Sequence, residues 1–230
     1  MHSLLIPARY ASKRFPAKML AEINGYPLLW HTYNKVKDCN GFDEVVALID
    51  SDKTMYACEK HKIRYAFTDQ HVKNGTERCA EYASCRMKDD DLVVNVQGDE
   101  PLMDPSIPQR ILFNLKNKPG FVWTAVRKVK NTDEMVSPDC VKCRVENGFA
   151  SDFDRLYSPG LDYAHVGVYG YSVARLKQYL ESKQTKQEID LSLEQLRWSE
   201  PLACITVEYN GIGVDRPGHL ELVKERIAAG

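Results

Sequence analysis

No stretch of this chain stays apolar for the roughly 20 residues that a membrane span needs, and its first residues lack a basic-then-apolar leader pattern. The expectation is a cytoplasmic protein with no membrane contact. Excess charge of one sign is missing too. Lys plus Arg number 31 against 32 Asp plus Glu, a net charge of −1, so nothing global attracts nucleic acid or a lipid surface. The phosphate-binding patterns Gly-x-x-x-x-Gly-Lys-Ser/Thr and Gly-x-Gly-x-x-Gly are both absent, which excludes a P-loop ATPase and a Rossmann dehydrogenase. Repeats and low-complexity segments are absent as well. The seven cysteines are an odd number spread along the chain, which argues for reduced thiols packed as small hydrophobes. Cys140 and Cys143 form a lone Cys-x-x-Cys, but residues 140–146 read as a strand, whose residues three apart point to opposite faces.

What is there is one α/β domain over residues 1–230, long enough for a sizeable core. The apolar run from Leu4 to Pro7 reads as a central strand, and it opens into a loop carrying Arg9, Lys13, Arg14 and Lys18. Loops that leave the carboxyl edge of such a sheet hold ligands, so these cations form either a polyanion site or a solvated basic loop. Apolar runs at 44–49 and 92–96 read as buried parallel strands, with a further strand at 63–67. Helices are expected at 28–36 with Pro27 at N1, at 53–61, at 76–87 with Thr76 as N-cap, at 104–115 and at 173–180. Strands follow at 121–129 and 141–146, and an excursion over about 131–172 returns as a strand at 164–171. Period-2 alternation there puts His165, Gly167, Tyr169 and Tyr171 on one face, either toward a ligand or exposed. Residues 181–186 read as a linker and 188–198 as a helix grouping Leu191, Glu194, Gln195 and Trp198. A strand at 204–209 and a helix opened by Pro217 complete the chain.

Two acids stand just past strands, Asp99 in Gln97-Gly98-Asp99-Glu100-Pro101 and Asp215 in Gly213-Val214-Asp215-Arg216-Pro217. Each is a turn cap or a metal-binding carboxylate. Cations for phosphate oxygens with two acids for Mg²⁺ point to a nucleoside triphosphate site.

Taken together and in order, Ile6-Pro-Ala-Arg-Tyr-Ala-Ser-Lys-Arg-Phe-Pro-Ala-Lys18, Gly75-Thr-Glu-Arg78, Val94-Asn-Val-Gln-Gly-Asp-Glu-Pro101, His165-Val-Gly-Val-Tyr169, Leu193-Glu-Gln-Leu-Arg197 and Gly213-Val-Asp-Arg-Pro217 resemble the 3-deoxy-manno-octulosonate cytidylyltransferases, the CMP-Kdo synthetases. The resemblance implies a Rossmann-like nucleotidyltransferase domain with a mixed, mostly parallel central sheet and a small β excursion for homodimerisation. It implies transfer of CMP from CTP to an acidic sugar, Kdo, with release of pyrophosphate, for lipopolysaccharide or capsule synthesis. Its catalytic residues fall on Arg14, Lys18, Asp99 and Asp215, the two acids holding Mg²⁺. Nucleotide contacts fall on Ala8, Arg9, Ser12, Gly75, Thr76 and Arg78. Sugar contacts fall on Gln97, Arg155, His165, Tyr169, Glu194 and Gln195. The chain departs from the family where Ala17 replaces a usual glycine, at Ile49-Asp-Ser-Asp52, at His71-Val-Lys-Asn74, and in a shorter segment between Arg155 and His165. The alternatives are the same transfer to another acid (8-amino-Kdo, a sialic-type acid or a phosphonate) or a non-catalytic binder.

Overall fold

The computed structural model describes residues 1–12 and 14–229, so Lys13 of the basic loop lies outside the described residues. β1 (His2–Pro7) sends Leu4 and Ile6 to one face and Leu5 to the other, and all three are fully buried. A strand covered on both faces belongs in the middle of a layered α/β sheet. It lies there, parallel to both β4 (Glu44–Ile49) and β6 (Leu92–Val96).

Among the described residues nine strands form one sheet, in the order β5 (Tyr65–Phe67), β4, β1, β6, β10 (Tyr163–Ser172), β7 (Trp123–Lys128), β11 (Leu202–Thr206), β9 (Phe149–Asp154) and β8 (Lys142–Glu146). The expected mixed sheet is found, with parallel pairing running unbroken from β5 to β6 and returning between β7 and β11. Between them β10 runs antiparallel to both β6 and β7, because the chain re-enters the sheet from the excursion end. The excursion itself is part of the same sheet: β8 pairs with β10, and β9 with β11. Asn147 and Gly148, both at positive φ, turn β8 into β9. The separate hairpin of β2 (Glu22–Ile23) and β3 (Tyr26–Pro27) follows the basic loop.

Helices α1 (Leu28–Val36), α2 (Asp52–Lys60) and α4 (Ser106–Asn117) bury Leu29, Cys58 and Ile111 against one face. α3 (Gly75–Arg86) and α6 (Val173–Glu181) bury Cys79, Ala83 and Leu176 against the other. A third cluster of Ile23, Leu28, Val214, Leu220 and Val223 seats α8 (Pro217–Ala229) beneath the segment that carries Asp215. All seven cysteines are free, with Cys39, Cys58, Cys79 and Cys143 buried, and Cys140 precedes β8.

Several local expectations are corrected. Pro27 is the N-cap of α1 and ends β3, so the helix begins one residue later than N1 placement implies. The cap of α3 is Asn74, whose Oδ1 accepts from the Glu77 amide at 2.8 Å, while the Thr76 hydroxyl pairs with Tyr171 at 2.8 Å. A short helix α5 (Thr132–Val136) stands where none was read. The expected helix over 188–198 is broken. α7 (Lys186–Leu191) begins inside the expected linker and stops at Ser192, whose φ is 53°, and a 3₁₀ turn (Glu194–Arg197) follows. Arg155 fixes the break by donating to the carbonyls of Leu191 at 2.8 Å and Ser192 at 3.4 Å. The last strand is shifted to Leu202–Thr206, the span that pairs with β7 and β9.

Candidate functional site

Strand order reverses between β1 and β6: β4 and β5 lie to one side of β1, and later strands lie to the other. Ligands of open α/β sheets sit at such switch points, outside the carboxyl ends of the strands. The two strand ends touch here through Gly98, whose amide donates to the Pro7 carbonyl at 3.3 Å. A Cβ on Gly98 would stand 2.7 Å from that carbonyl oxygen, so no larger residue fits without spreading the strands.

The basic loop returns to this point. Ala17 adopts φ 55°, the left-handed region that glycine enters without strain. The turn delivers Lys18 inward, where its ammonium pairs with Asp99 and also donates to Asp215 Oδ1 at 3.3 Å and to the Val214 carbonyl at 3.1 Å. Burial alone would lower the Lys18 pKa, but the fields of Asp99 and Asp215 outweigh it and hold the ammonium above its ordinary value. The Val214 amide donates to the Asp99 carbonyl at 2.8 Å, which locks the two acid-bearing segments together. Arg14, exposed, reaches Asp215 Oδ1 at 2.8 Å. The four residues assigned to catalysis are therefore brought together around one ammonium.

On the nucleotide side Ala8 is buried beneath the loop, Arg9 is exposed and Ser12 half-buried. Arg78 is buried and spends its guanidinium on protein atoms: Thr68, and Asp50 Oδ2 at 2.9 Å. Burial draws its pKa down, against the pull of Asp50. Asp50 Oδ1 in turn accepts from the Tyr10 amide at 2.8 Å, so Arg78 braces the loop after β1 from behind.

On the sugar side Glu194 is placed at the amino end of α3. Its carboxylate accepts from the Thr76 amide at 2.9 Å and from Gln97 Nε2 at 2.8 Å. A Cβ on Gly75 would meet that same Gln97 nitrogen at 2.8 Å, so a glycine opens α3. Burial pushes the Glu194 carboxyl up to about 7, against the helix-end amides that favour its charged form. Gln195 is buried, its Oε1 accepting from the Tyr169 hydroxyl at 3.1 Å while its Nε2 has no partner among the described residues. His165 sits between the rings of Phe153 and Tyr169, with Nε2 2.9 Å from Thr124 Oγ1. That hydroxyl donates onward to the Val168 carbonyl at 2.8 Å, which assigns the imidazole proton to Nε2. Burial pulls the His165 pKa down to about 4, so the ring is neutral near pH 7 and offers a hydrogen bond rather than a charge. Arg155 is engaged by backbone carbonyls and lies within the fields of Arg14, Asp215 and Asp139. Besides Leu191 and Ser192, its guanidinium holds the Pro138 carbonyl at 3.0 Å.

Sequence reasoning missed Glu100. It accepts from the Tyr209 hydroxyl at 2.7 Å, faces Gly167 and Gly213, and is pushed up to about 7 by burial and then by neighbouring Asp99. It also missed Asp50 and Asp139. Asp50 stands directly after β4 and Glu100 beside Asp99, the signal that marked Asp99 itself, whereas nothing local marks Asp139, whose partners are far away in the chain. Among the described residues no group of three or more His, Cys, Asp or Glu side chains forms a closed metal cluster.

Residues 3–200 match the family model described as Cytidylyltransferase. The chain is 34% identical to the 3-deoxy-manno-octulosonate cytidylyltransferase of Nitratidesulfovibrio vulgaris, over 95% of this chain and 93% of that one. It is 30% identical to the protein of the same name from Thermodesulfovibrio yellowstonii, over 96% of each. A solved structure of CMP:2-keto-3-deoxy-manno-octonic acid synthetase complexed with CTP superposes with a TM-score of 0.89 at 29% identity, covering 99% of this chain and 98% of that one. A putative glucose-1-phosphate thymidylyltransferase from Bacillus anthracis shares the fold, with a TM-score of 0.71 at 14% identity over 98% of this chain and 95% of that one.

Proposed function

Because the chain belongs to the cytidylyltransferase family, we propose that it transfers CMP from CTP to 3-deoxy-manno-octulosonate, giving CMP-Kdo and pyrophosphate. The observation that carries this reading is the convergence of Lys18 and Arg14 on Asp99 and Asp215 at the switch point, one strand away from the Gln97, Glu194 and Tyr169 face. The first group meets a triphosphate, the second a polyhydroxylated acid. Arg14 and Lys18 bind triphosphate oxygens and stabilise the charge that gathers on the departing pyrophosphate. Gln97 and Gln195 orient hydroxyls of the sugar, and neutral His165 contributes hydrogen bonding without charge. The anomeric hydroxyl then attacks the α-phosphorus in line, and positioning supplies most of the catalysis.

The donor set fits Mg²⁺. Asp99 and Asp215 both aim at one ammonium, which marks a focus of negative potential, and two carboxylates leave room for phosphate oxygens and water. When bound there, Mg²⁺ would neutralise phosphate charge and acidify the attacking hydroxyl. We further propose a cytoplasmic setting, a homodimer built on the excursion, and use of the product in lipopolysaccharide or capsule synthesis. Among the described residues no helix is long and apolar enough to cross a membrane.

The test is pyrophosphate release with each of the four nucleoside triphosphates and Mg²⁺, across Kdo, 8-amino-Kdo, a sialic acid and a phosphonate. Release with CTP and Kdo alone is expected. Release only with another acid reassigns the acceptor, and no release with any pair overturns the enzyme reading.

A further inference from the structure

Beyond Asp215 the ion pairs continue. Arg14 bonds Asp215 with one guanidinium nitrogen and Asp139 Oδ1, at 3.4 Å, with the other. Asp139 Oδ2 is 2.9 Å from Arg216 Nε and 3.6 Å from His219 Nε2. Opposite charges thus alternate in one line: Asp99, Lys18, Asp215, Arg14, Asp139, Arg216. The line starts at the acid nearest the reacting centre and runs outward to the start of α8.

The Asp139 carboxylate is not held by its own element. It rides on the turn between α5 and β8, which Arg155 grips at the Pro138 carbonyl and Lys142 at the Ser137 carbonyl, 2.5 Å away. Its donors come from two other segments, the loop after β1 and the opening of α8. The Asp139 side chain is only 17% exposed, whereas the Arg14 and Arg216 side chains are 42% and 52% exposed. The guanidinium forks face solvent while the carboxylate between them is covered. A fork that accepts a carboxylate accepts phosphate oxygens in the same geometry, and more strongly as the oxyanion gains charge.

We propose that Arg216 and His219, with Arg14, form a subsite for the terminal phosphoryl group of the triphosphate, and hence for the leaving pyrophosphate, and that Asp139 fills this subsite until the ligand displaces it. The inference rests on the nucleotidyl-transfer reading of the neighbouring site and adds residues to it. Asp139 is then a competitor for the cations, so removing its charge and removing a cation act in opposite directions. If the pair were only a brace, both changes would loosen the same turn and act in the same direction.

The experiment measures the dissociation constant of inorganic pyrophosphate by calorimetry, and the KM for CTP and for the sugar acid, in the full-length wild type, Asp139→Asn and Arg216→Gln. Asp139→Asn is expected to tighten pyrophosphate and lower the CTP KM by about three- to fivefold, the size of a partly exposed ion pair. Arg216→Gln is expected to weaken both by a similar factor, while the KM for the sugar acid stays within about twofold in each variant. Thermal melts confirm folding, and Asp139→Ser replaces Asp139→Asn if the latter does not fold. Shifts in the same direction, or no shift in either variant, overturn the subsite. Pyrophosphate calorimetry decides this even for a protein that transfers no CMP, so failure of the enzymatic reading is seen separately.

Discussion

Arg197 is a buried guanidinium that ties α7 to α3. It is buried and forms a fork on Glu188, with Nε to Oε2 at 2.8 Å and NH2 to Oε1 at 2.6 Å. Its remaining nitrogen lies 2.8 Å from Glu77 on α3, and the group stacks 4.1 Å from the Tyr179 ring centroid. Arg197→Met keeps most of the volume and removes the charge, leaving two covered carboxylates without their cation. Breaking a buried pair from one side costs about 3–5 kcal/mol. Glu188 keeps Gln184 and Asn74 as donors at 3.1 and 3.2 Å, which points to the lower end. About 3 kcal/mol in a chain of this size lowers Tm by roughly 6–12 °C. The pH dependence carries a sign. Burial would raise the Glu188 pKa, but its hydrogen bonds, Arg197 first, hold it below the usual range in the folded protein. The pair's stabilisation is therefore complete above the unfolded carboxylate value near 4 and fades as pH falls through the folded one. In the variant the stranded carboxylates titrate upward, so acid relieves it. Circular-dichroism melts from pH 8 to pH 4 should show the gap between the two proteins narrowing toward acid, and Glu188→Gln should restore part of the loss when added to Arg197→Met. A Tm within about 2 °C of wild type at pH 7, or a gap constant to pH 4, would refute the reasoning.

Lys18→Met should fold but lower kcat by about 10²–10³, the loss typical of one preorganised charge donor; a kcat within about threefold of wild type would remove Lys18 from the reacting centre. Glu194 is raised to about 7 in the fold, so it binds more protons folded than unfolded, and its contribution to stability falls as pH rises from about 4 to about 7. Urea unfolding at pH 5 and pH 7 should show Glu194→Gln flattening that decline, and an unchanged decline would exclude the buried-acid assignment. Gly98→Ala must push a Cβ against the Pro7 carbonyl 2.7 Å away, whereas Gly120 has open space around it. An overpacking loss of about 1–3 kcal/mol is expected for Gly98→Ala with reduced turnover, and Gly120→Ala is the control; equal denaturation midpoints for the two would contradict the close crossing of β1 and β6.

What was legible in the residues was whatever depends on near neighbours. The continuous apolar runs at 44–49 and 92–96 reappear with the same bounds as β4 and β6, because burial on both faces leaves a compositional mark. The alternation in 164–171 also holds: Val166 and Val168 join one core and Tyr169 and Tyr171 the other, although a register shift intervenes between Val166 and Tyr169. The helix expected at 188–198 is broken by a side chain more than thirty residues earlier, Arg155, which takes the carbonyls of Leu191 and Ser192. Periodicity has no access to such a partner. The cap of α3 goes to Asn74 rather than Thr76 for a similar reason, since Tyr171 engages the threonine hydroxyl. In the site, Arg14, Lys18, Asp99 and Asp215 were readable as cations and acids following strands. Arg78 and Arg155 were readable as cations, but their engagement with Asp50, Thr68 and backbone carbonyls depends on tertiary placement alone.

The same tertiary placement sets the electrostatics of the site. Lys18, Arg14 and Arg216 stand against Asp99, Asp215 and Asp139, each cation touching at least one acid. In such a balanced line a triphosphate meets cations that are already paired with acids. Binding therefore requires the acids to be compensated or moved. Asp99 and Asp215 are fixed, by Lys18 and by the Val214 to Asp99 backbone bond, so compensation of those two falls to the proposed divalent cation. Asp139 sits instead on the turn between α5 and β8, a different segment from those that carry Asp99 and Lys18. The two ends of the line thus call for different solutions: charge neutralisation beside the α-phosphorus, and exchange of one oxyanion for another at the terminal phosphate. This division also gives the excursion a role within its own subunit, independent of any contact with a second copy.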